Sequence, residues 1–181
     1  MMVITRLSRR FVALRRDQRG VSAVEFAMLL PLMVTLYLGA VEVSQGVAIN
    51  RKVTLTARTV ADLASQASSL SASDMTNLLN ASSSVVTPYD ASKLKVVVSQ
   101  VKIDSNGAAT IDWSATFQGS ARGKGSSVSV PTALKVNDSY LIWGEVEYLY
   151  TPTIGYVVTG SLNLKDQIYM RPRLSDKVTY Q

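Results

Sequence analysis

Gly20-Val-Ser-Ala-Val-Glu-Phe-Ala-Met-Leu-Leu-Pro-Leu-Met-Val-Thr-Leu-Tyr-Leu-Gly-Ala-Val-Glu-Val43 is the stretch on which the reading of this chain turns. From Phe26 to Val41 its only ionisable side chain is that of Tyr37. With Val21 to Val24 added, the run reaches the ~20 residues a helix needs to cross a bilayer. Glu25 is the exception inside it. A carboxylate at membrane depth costs on the order of 3 kcal/mol on insertion scales, so it sits at the interface or meets a partner, and it marks a functional position. Pro31, inside the run, is expected to kink the helix, with neighbouring helices satisfying the freed carbonyl.

The preceding residues set the direction of insertion. Arg6, Arg9, Arg10, Arg15, Arg16 and Arg19 stand against Asp17 alone. Such a cluster stays in the cytoplasm, so the expected topology is N-terminus in and the long remainder out. The domains expected are a basic leader (1–20), a transmembrane helix (21–45) and an extracytoplasmic domain (46–181). A secretory signal would be cut after the apolar run at small residues, and Leu38-Gly-Ala40 fits poorly because it opens on a large leucine.

This order of basic leader, glycine, four residues, glutamate and aromatic resembles the type IV pilin-like proteins. The resemblance is to the TadE/TadG-like pseudopilins of the tight adherence (Flp) pilus system in particular. Gly20, Val21, Glu25 and Phe26 carry it. It implies that a prepilin peptidase cuts between Gly20 and Val21, and that Glu25 and Phe26 recruit the subunit to other pilins and pilus assembly components. It also implies a pilin-like α+β fold, no enzymatic activity, a place in a bacterial inner membrane with the C-terminal domain in the periplasm, and incorporation into an extracellular pilus as one fate of the subunit. Val21 stands where an aromatic or Met is commoner, Phe26 where short major Flp pilins carry Tyr, and the chain is far longer than those pilins, so the resemblance points to a minor pilin or pseudopilin. A looser likeness to such proteins runs from Leu141 to Tyr180.

Cleavage would create an α-amino group on Val21 with a pKa near 8. It would lie in the same membrane layer as the Glu25 carboxylates of neighbouring subunits. Pairing of that kind offsets desolvation only with good geometry, and so acts more as a register device than as bulk stabilisation.

Composition excludes several function classes. The net charge of +6 looks like a nucleic-acid signal, but the leader supplies six of the 19 basic residues and one of the 13 acidic ones. The rest of the chain is close to neutral, so no nucleic-acid partner is expected. The chain has neither cysteine nor histidine. The usual Cys/His zinc sites and the imidazole-dependent nucleophile systems are therefore out of reach, and no cofactor or small-molecule substrate is expected. A Ser-Lys or paired-carboxylate enzyme remains conceivable. Ser92-Lys93 is a poor dyad, since neighbours on a strand face opposite ways. Glu145 and Glu147 share a strand face, where carboxylates are usually solvated or in ion pairs.

Beyond the apolar run, Ile49, Val53, Ala57, Val60, Ala64 and Ala67 recur at helical steps, giving an amphipathic helix to about Ser68. From Val21 this makes a rod of roughly 70 Å. Its stripe is read as packing on the domain's own sheet rather than on another subunit. Ser71 and Asp74 suggest a capped short helix through Leu78 and Leu79, and Ser82 to Ser84 a surface connection.

Next come a valine-rich strand (95–103), a hairpin signal at Ser105-Asn106-Gly107, and a strand with Ile111, Trp113, Ala115 and Phe117 on one face. The loop Gly119–Ser127 is glycine-rich and basic, without a phosphate-binding pattern, and reads as a flexible solvated loop. Strands 141–150 and 162–171 should bury Ile142, Val146, Tyr148 and Tyr150, and Leu162, Leu164, Ile168 and Met170. Tyr148, Tyr150, Tyr156 and Tyr169 are expected as one cluster at the core rim. The fold class expected is α+β: a long N-terminal helix on an antiparallel sheet of about four strands.

Two further readings keep the same span or lose it. One is an uncleaved single-pass scaffold of the same pilus or secretion machinery. The other is a soluble domain released after Ala40.

Overall fold

The computed structural model describes residues 19–152, 155 and 159–181; most of the basic leader and Tyr156 lie outside these. One helix dominates. Helix α1 (Arg19–Ser65) runs unbroken through Pro31 and is followed by β1 (Ser69–Leu70), α2 (Ala72–Ser84), β2 (Leu94–Ile103), β3 (Ala109–Phe117), β4 (Ser139–Tyr150), β5 (Leu162–Met170) and β6 (Thr179–Tyr180). The main sheet has the order β3-β2-β4-β5 and is antiparallel throughout, while β1 and β6 pair in parallel at its side.

The helical stripe does what its period demands. Ile49, Val53, Ala57, Val60, Ala61 and Ala64 are all buried, packed against Leu94, Val96 and Val98 of β2 and Ile142, Val146, Tyr148 and Tyr150 of β4. Alanines at three of these positions let the helix axis come close to the sheet. Helix α1 ends at Ser65 rather than near Ser68 because its last carbonyls find other donors. The Ser65 hydroxyl bonds to the Asp62 carbonyl at 2.8 Å, and the Arg173 amide donates to the Ser65 carbonyl at 2.8 Å.

Helix α2 starts as predicted. The Ser71 hydroxyl accepts from the Asp74 amide and the Asp74 carboxylate accepts from the Ser71 amide, a reciprocal capping box. The serine run is not a surface connection, however. Ser82 and Ser83 are buried in the last turn of α2, where their hydroxyls donate to the carbonyls of Leu78 and Asn80. That back-bonding lets a hydroxyl enter the core without an unpaired donor.

The two sheet faces are also not what simple alternation gives. Gln100 pairs with Trp113 but Val101 pairs with Ile111, so Asp112 is an extra residue in β3. This β-bulge reverses the alternation. Trp113, Ala115 and Phe117 lie on the helical face of the sheet, where α2 covers β3, while Ile111 joins Val101, Ile103, Ala109, Val130, Leu141 and Trp143 in a second core on the opposite face. The tyrosines divide in the same way: Tyr148 and Tyr150 are buried under α1, whereas Tyr169 stacks on Trp143 at 5.3 Å on the other side. At the edge strand β5, Leu164, Ile168 and Met170 are half-buried as core-face residues, but Leu162 at its start is exposed.

The Gly119–Ser127 loop is fastened down rather than freely solvated. The Gly125 amide bonds to the Ile111 carbonyl, the Ile111 amide to the Ser126 carbonyl, and the Val128 amide to the Ala109 carbonyl. Ser92 and Lys93 lie in a single 3-10 turn (Ala91–Lys93) capped by Asp90, not on the strand.

Candidate functional site: the bare helix and its junction with the domain

Residues 20–34 of α1 are all exposed among the described residues. Val21, Phe26, Met28, Leu32 and Leu36 are all more than half exposed, an apolar surface that a water-soluble helix would not carry. The first buried residue is Glu42. Gly20 to Val41, fully exposed as far as Val34 and half-buried at Thr35, Leu38, Gly39 and Val41, is thus a largely bare helix of about 33 Å at 1.5 Å per residue, the thickness of a bilayer's hydrocarbon core. Among the described residues it is the one helix long and apolar enough to cross a membrane.

The predicted site residues all fall on this bare stretch. Gly20 has open space around the position of a Cβ. Val21 and Glu25 are one turn apart and share a face of the helix. Among the described residues no side chain pairs with Glu25. Phe26 is next in the chain and is exposed. Pro31 lacks the amide that would bond to the Ala27 carbonyl; the Thr35 hydroxyl donates to the Pro31 carbonyl at 2.8 Å.

Where the bare stretch ends, the domain grips it. The Tyr150 hydroxyl donates to the Glu42 carbonyl at 3.3 Å, and a Cβ on Gly46 would lie 3.5 Å from the Tyr150 ring. Burial, followed by the nearby Glu42 carboxylate, pushes the Tyr150 phenol up, so it stays a neutral donor. The span and the domain are therefore one continuous body. The sequence carries one signal for this junction, the acid at position 42 that closes the apolar run, but hydropathy alone does not mark it as a buried contact.

Residues 20–62 match the family model described as TadE-like protein. Over these residues the helix is similar to the TadE-like family. The match starts at Gly20, takes in the bare stretch and the junction, and ends within the last turn of α1. No curated protein and no solved structure matches the chain. The TadE-like match associates the chain with the tight adherence pilus system, and the single apolar helix with a membrane.

Away from helix α1, the outer sheet face carries the paired glutamates. Arg122 reaches from the basic loop to hold Glu145 through both guanidinium arms, at 2.8 and 2.7 Å, and lies 4.1 Å above the Trp143 ring. Its charge is held more firmly by that carboxylate. Glu147 accepts from Asn163 and pairs with Lys165 at 3.5 Å; the Asn163 contact, foremost, lowers its pKa. Both carboxylates are engaged with basic partners, Glu145 with Arg122 and Glu147 with Lys165. They line a groove of about 890 Å³ with Lys95, Gly119 and Gln167. Among the described residues no group of three or more Asp or Glu side chains is placed to hold a metal ion.

Proposed function

We propose that this protein is a non-enzymatic pseudopilin or minor pilin of a Flp-type pilus. In this reading the leader holds the N-terminus in the cytoplasm, residues 21–41 cross the inner membrane, and the α+β domain stands in the periplasm. Prepilin peptidase cuts after Gly20. The observation that carries the reading is the bare apolar stretch of bilayer length that continues without a break into the core helix of the domain, within a segment matching the TadE-like family.

Glu25 has a defined task on this reading. Its carboxylate is about 6 Å along the helix from the α-amino group that cleavage creates on Val21, so one subunit's acid and a neighbour's amine meet at the same depth. A cation at a helix N-terminus opposes the macrodipole, and a carboxylate from a neighbour relieves that conflict. Phe26 and the flanking leucines supply the apolar contact between spans, and Pro31 lets the helix adjust to its neighbours. The unbroken helix across Ala40 favours retention of the span over release of a soluble domain.

The test is Glu25→Val. Carbonate-resistant membrane association should be unchanged or improved, since a charge leaves the span, while co-purification with partner pilins and pilus output fall. Normal pilus output from that variant would remove the role given to Glu25.

A further inference from the structure

At the membrane-side end of the domain, a cavity of about 390 Å³ opens between α1 and the sheet, lined by Gln45, Ile49, Tyr89, Lys93, Tyr148, Tyr150 and Thr151. Its depth is set by α1. Gln45 and Ile49 stand about 6 and 12 Å beyond Val41, where the bare helix ends. The polar layer of a bilayer adds roughly 5–8 Å to each side of its hydrocarbon core. The Gln45 end of the cavity therefore lies at headgroup level, with the Ile49 end just beyond it.

Its chemistry fits that depth. Among the described residues, Lys93 has no carboxylate within 4.0 Å, although Asp90 stands near enough for the Lys93 charge to help lower its pKa, and the Tyr89 hydroxyl and the Gln45 amide have no hydrogen-bond partner. Three donors, one of them cationic, converge on one opening. Of the two carboxylates nearby, Asp90 also accepts from the Ser92 amide at 2.9 Å, and Glu42 is buried. Tyr148 and Tyr150 form a largely apolar wall whose phenols burial keeps neutral. Tyrosine and lysine together are the residues that anchor proteins at the interfacial layer.

We infer that this cavity seats the phosphodiester of an anionic phospholipid headgroup, with Lys93 as its counter-ion and Tyr89 and Gln45 as hydrogen-bond donors. One ammonium matches one phosphodiester charge. The two acids beside it oppose a second negative charge, and the added choline cation of a phosphatidylcholine gains nothing from Lys93. The seat fixes the height and tilt of the domain on the membrane, because its walls belong to α1 and β4 alike. The inference rests on residues 20–41 spanning the bilayer.

The full-length protein, extracted from membranes of equal parts phosphatidylglycerol and phosphatidylcholine, is analysed by native mass spectrometry. The wild type should keep one phosphatidylglycerol in preference to phosphatidylcholine. Lys93→Gln should lower that retention about tenfold, the loss of one charge-assisted hydrogen bond, and Gln45→Ala less. An excess of inorganic phosphate should not displace the lipid. Equal retention of both lipids, equal retention by Lys93→Gln, or displacement by phosphate would each overturn the assignment, the last revealing a soluble-phosphate site. Carbonate washing separates the two levels of failure. Protein stripped from the membrane refutes the span and the seat together, whereas carbonate-resistant protein without lipid preference refutes the seat alone.

Discussion

A Cβ built on Gly144 would lie 2.9 Å from the carbonyl oxygen of Ala57. It would also meet Val60 Cγ1 at 3.0 Å and Ala61 Cβ at 3.1 Å. This is where α1 crosses the central strand β4, and the missing side chain is what allows the close approach. Gly144→Ala forces helix and sheet apart against backbone, which cannot rotate away as a side-chain tip could. The expected loss is about 1–3 kcal/mol, read from urea denaturation of the detergent-solubilised protein by tryptophan fluorescence. An unchanged midpoint would mean that the crossing has room for a methyl group.

The C-terminal segment is clasped by two side chains of the sheet. Buried Gln100 accepts from the Val178 amide at 2.7 Å and donates to Asp112 at 2.8 Å, while the Trp113 indole donates to the Val178 carbonyl at 2.8 Å. Tyr180 then lies 5.5 Å from the Trp113 ring. Gln100→Met keeps the volume but leaves the Val178 amide unpaired, a cost of about 1–3 kcal/mol. Hydrogen exchange should quicken at Val178 to Gln181 more than in β2 itself. Uniform exchange across the domain would argue against a local clasp.

Acid should destabilise the domain through identified carboxyls. Asp74 is held low by the Ser71 hydroxyl and amide, Asp90 by Ser92, and Glu147 by Asn163 and then Lys165. Each has a folded pKa below its unfolded value. Its contribution is thus fully present above the ordinary carboxyl range near 4 and is lost as pH falls through the depressed value. The chain contains no histidine, so the same measurement should be nearly flat between pH 6 and 8. Asp74→Asn should shrink the acid-side slope, and an unaltered slope would remove Asp74 from the set of responsible groups.

Arg122 ties the long loop to the sheet. Arg122→Lys keeps the charge but loses the two-armed contact with Glu145 and the flat stacking over Trp143. The side chain is 37 % exposed, so the loss should be about 1 kcal/mol, smaller at high salt. A shift in the emission of Trp143 should accompany it.

These relationships show how far the sequence could be read. The α1 stripe, the Ser71–Asp74 cap and, apart from Leu162, the β4 and β5 core faces follow from local periodicity, and periodicity is written in the residues. Helix α1 on a four-stranded antiparallel sheet followed from those patterns and from the family resemblance together. The bulge at Asp112 is not legible, because Ile111, Trp113, Ala115 and Phe117 alternate without a break and only pairing with β2 shows the extra residue. Ser82 and Ser83 mislead because their hydroxyls are satisfied inside the helix, a contact that composition does not carry. The β1–β6 pair and the Gln100 clasp join residues far apart in the chain. Tyr148 and Tyr169 look alike in the sequence and end on opposite faces, since strand parity and not residue type decides the face.

The central claim, a TadE-like subunit processed after Gly20, is tested most directly by the N-terminal residue of the membrane-bound protein, found by mass spectrometry with and without the cognate prepilin peptidase. The account predicts a start at Val21 that depends on the peptidase. A start at Met1 or Met2 under both conditions, or one near Val41, would contradict it.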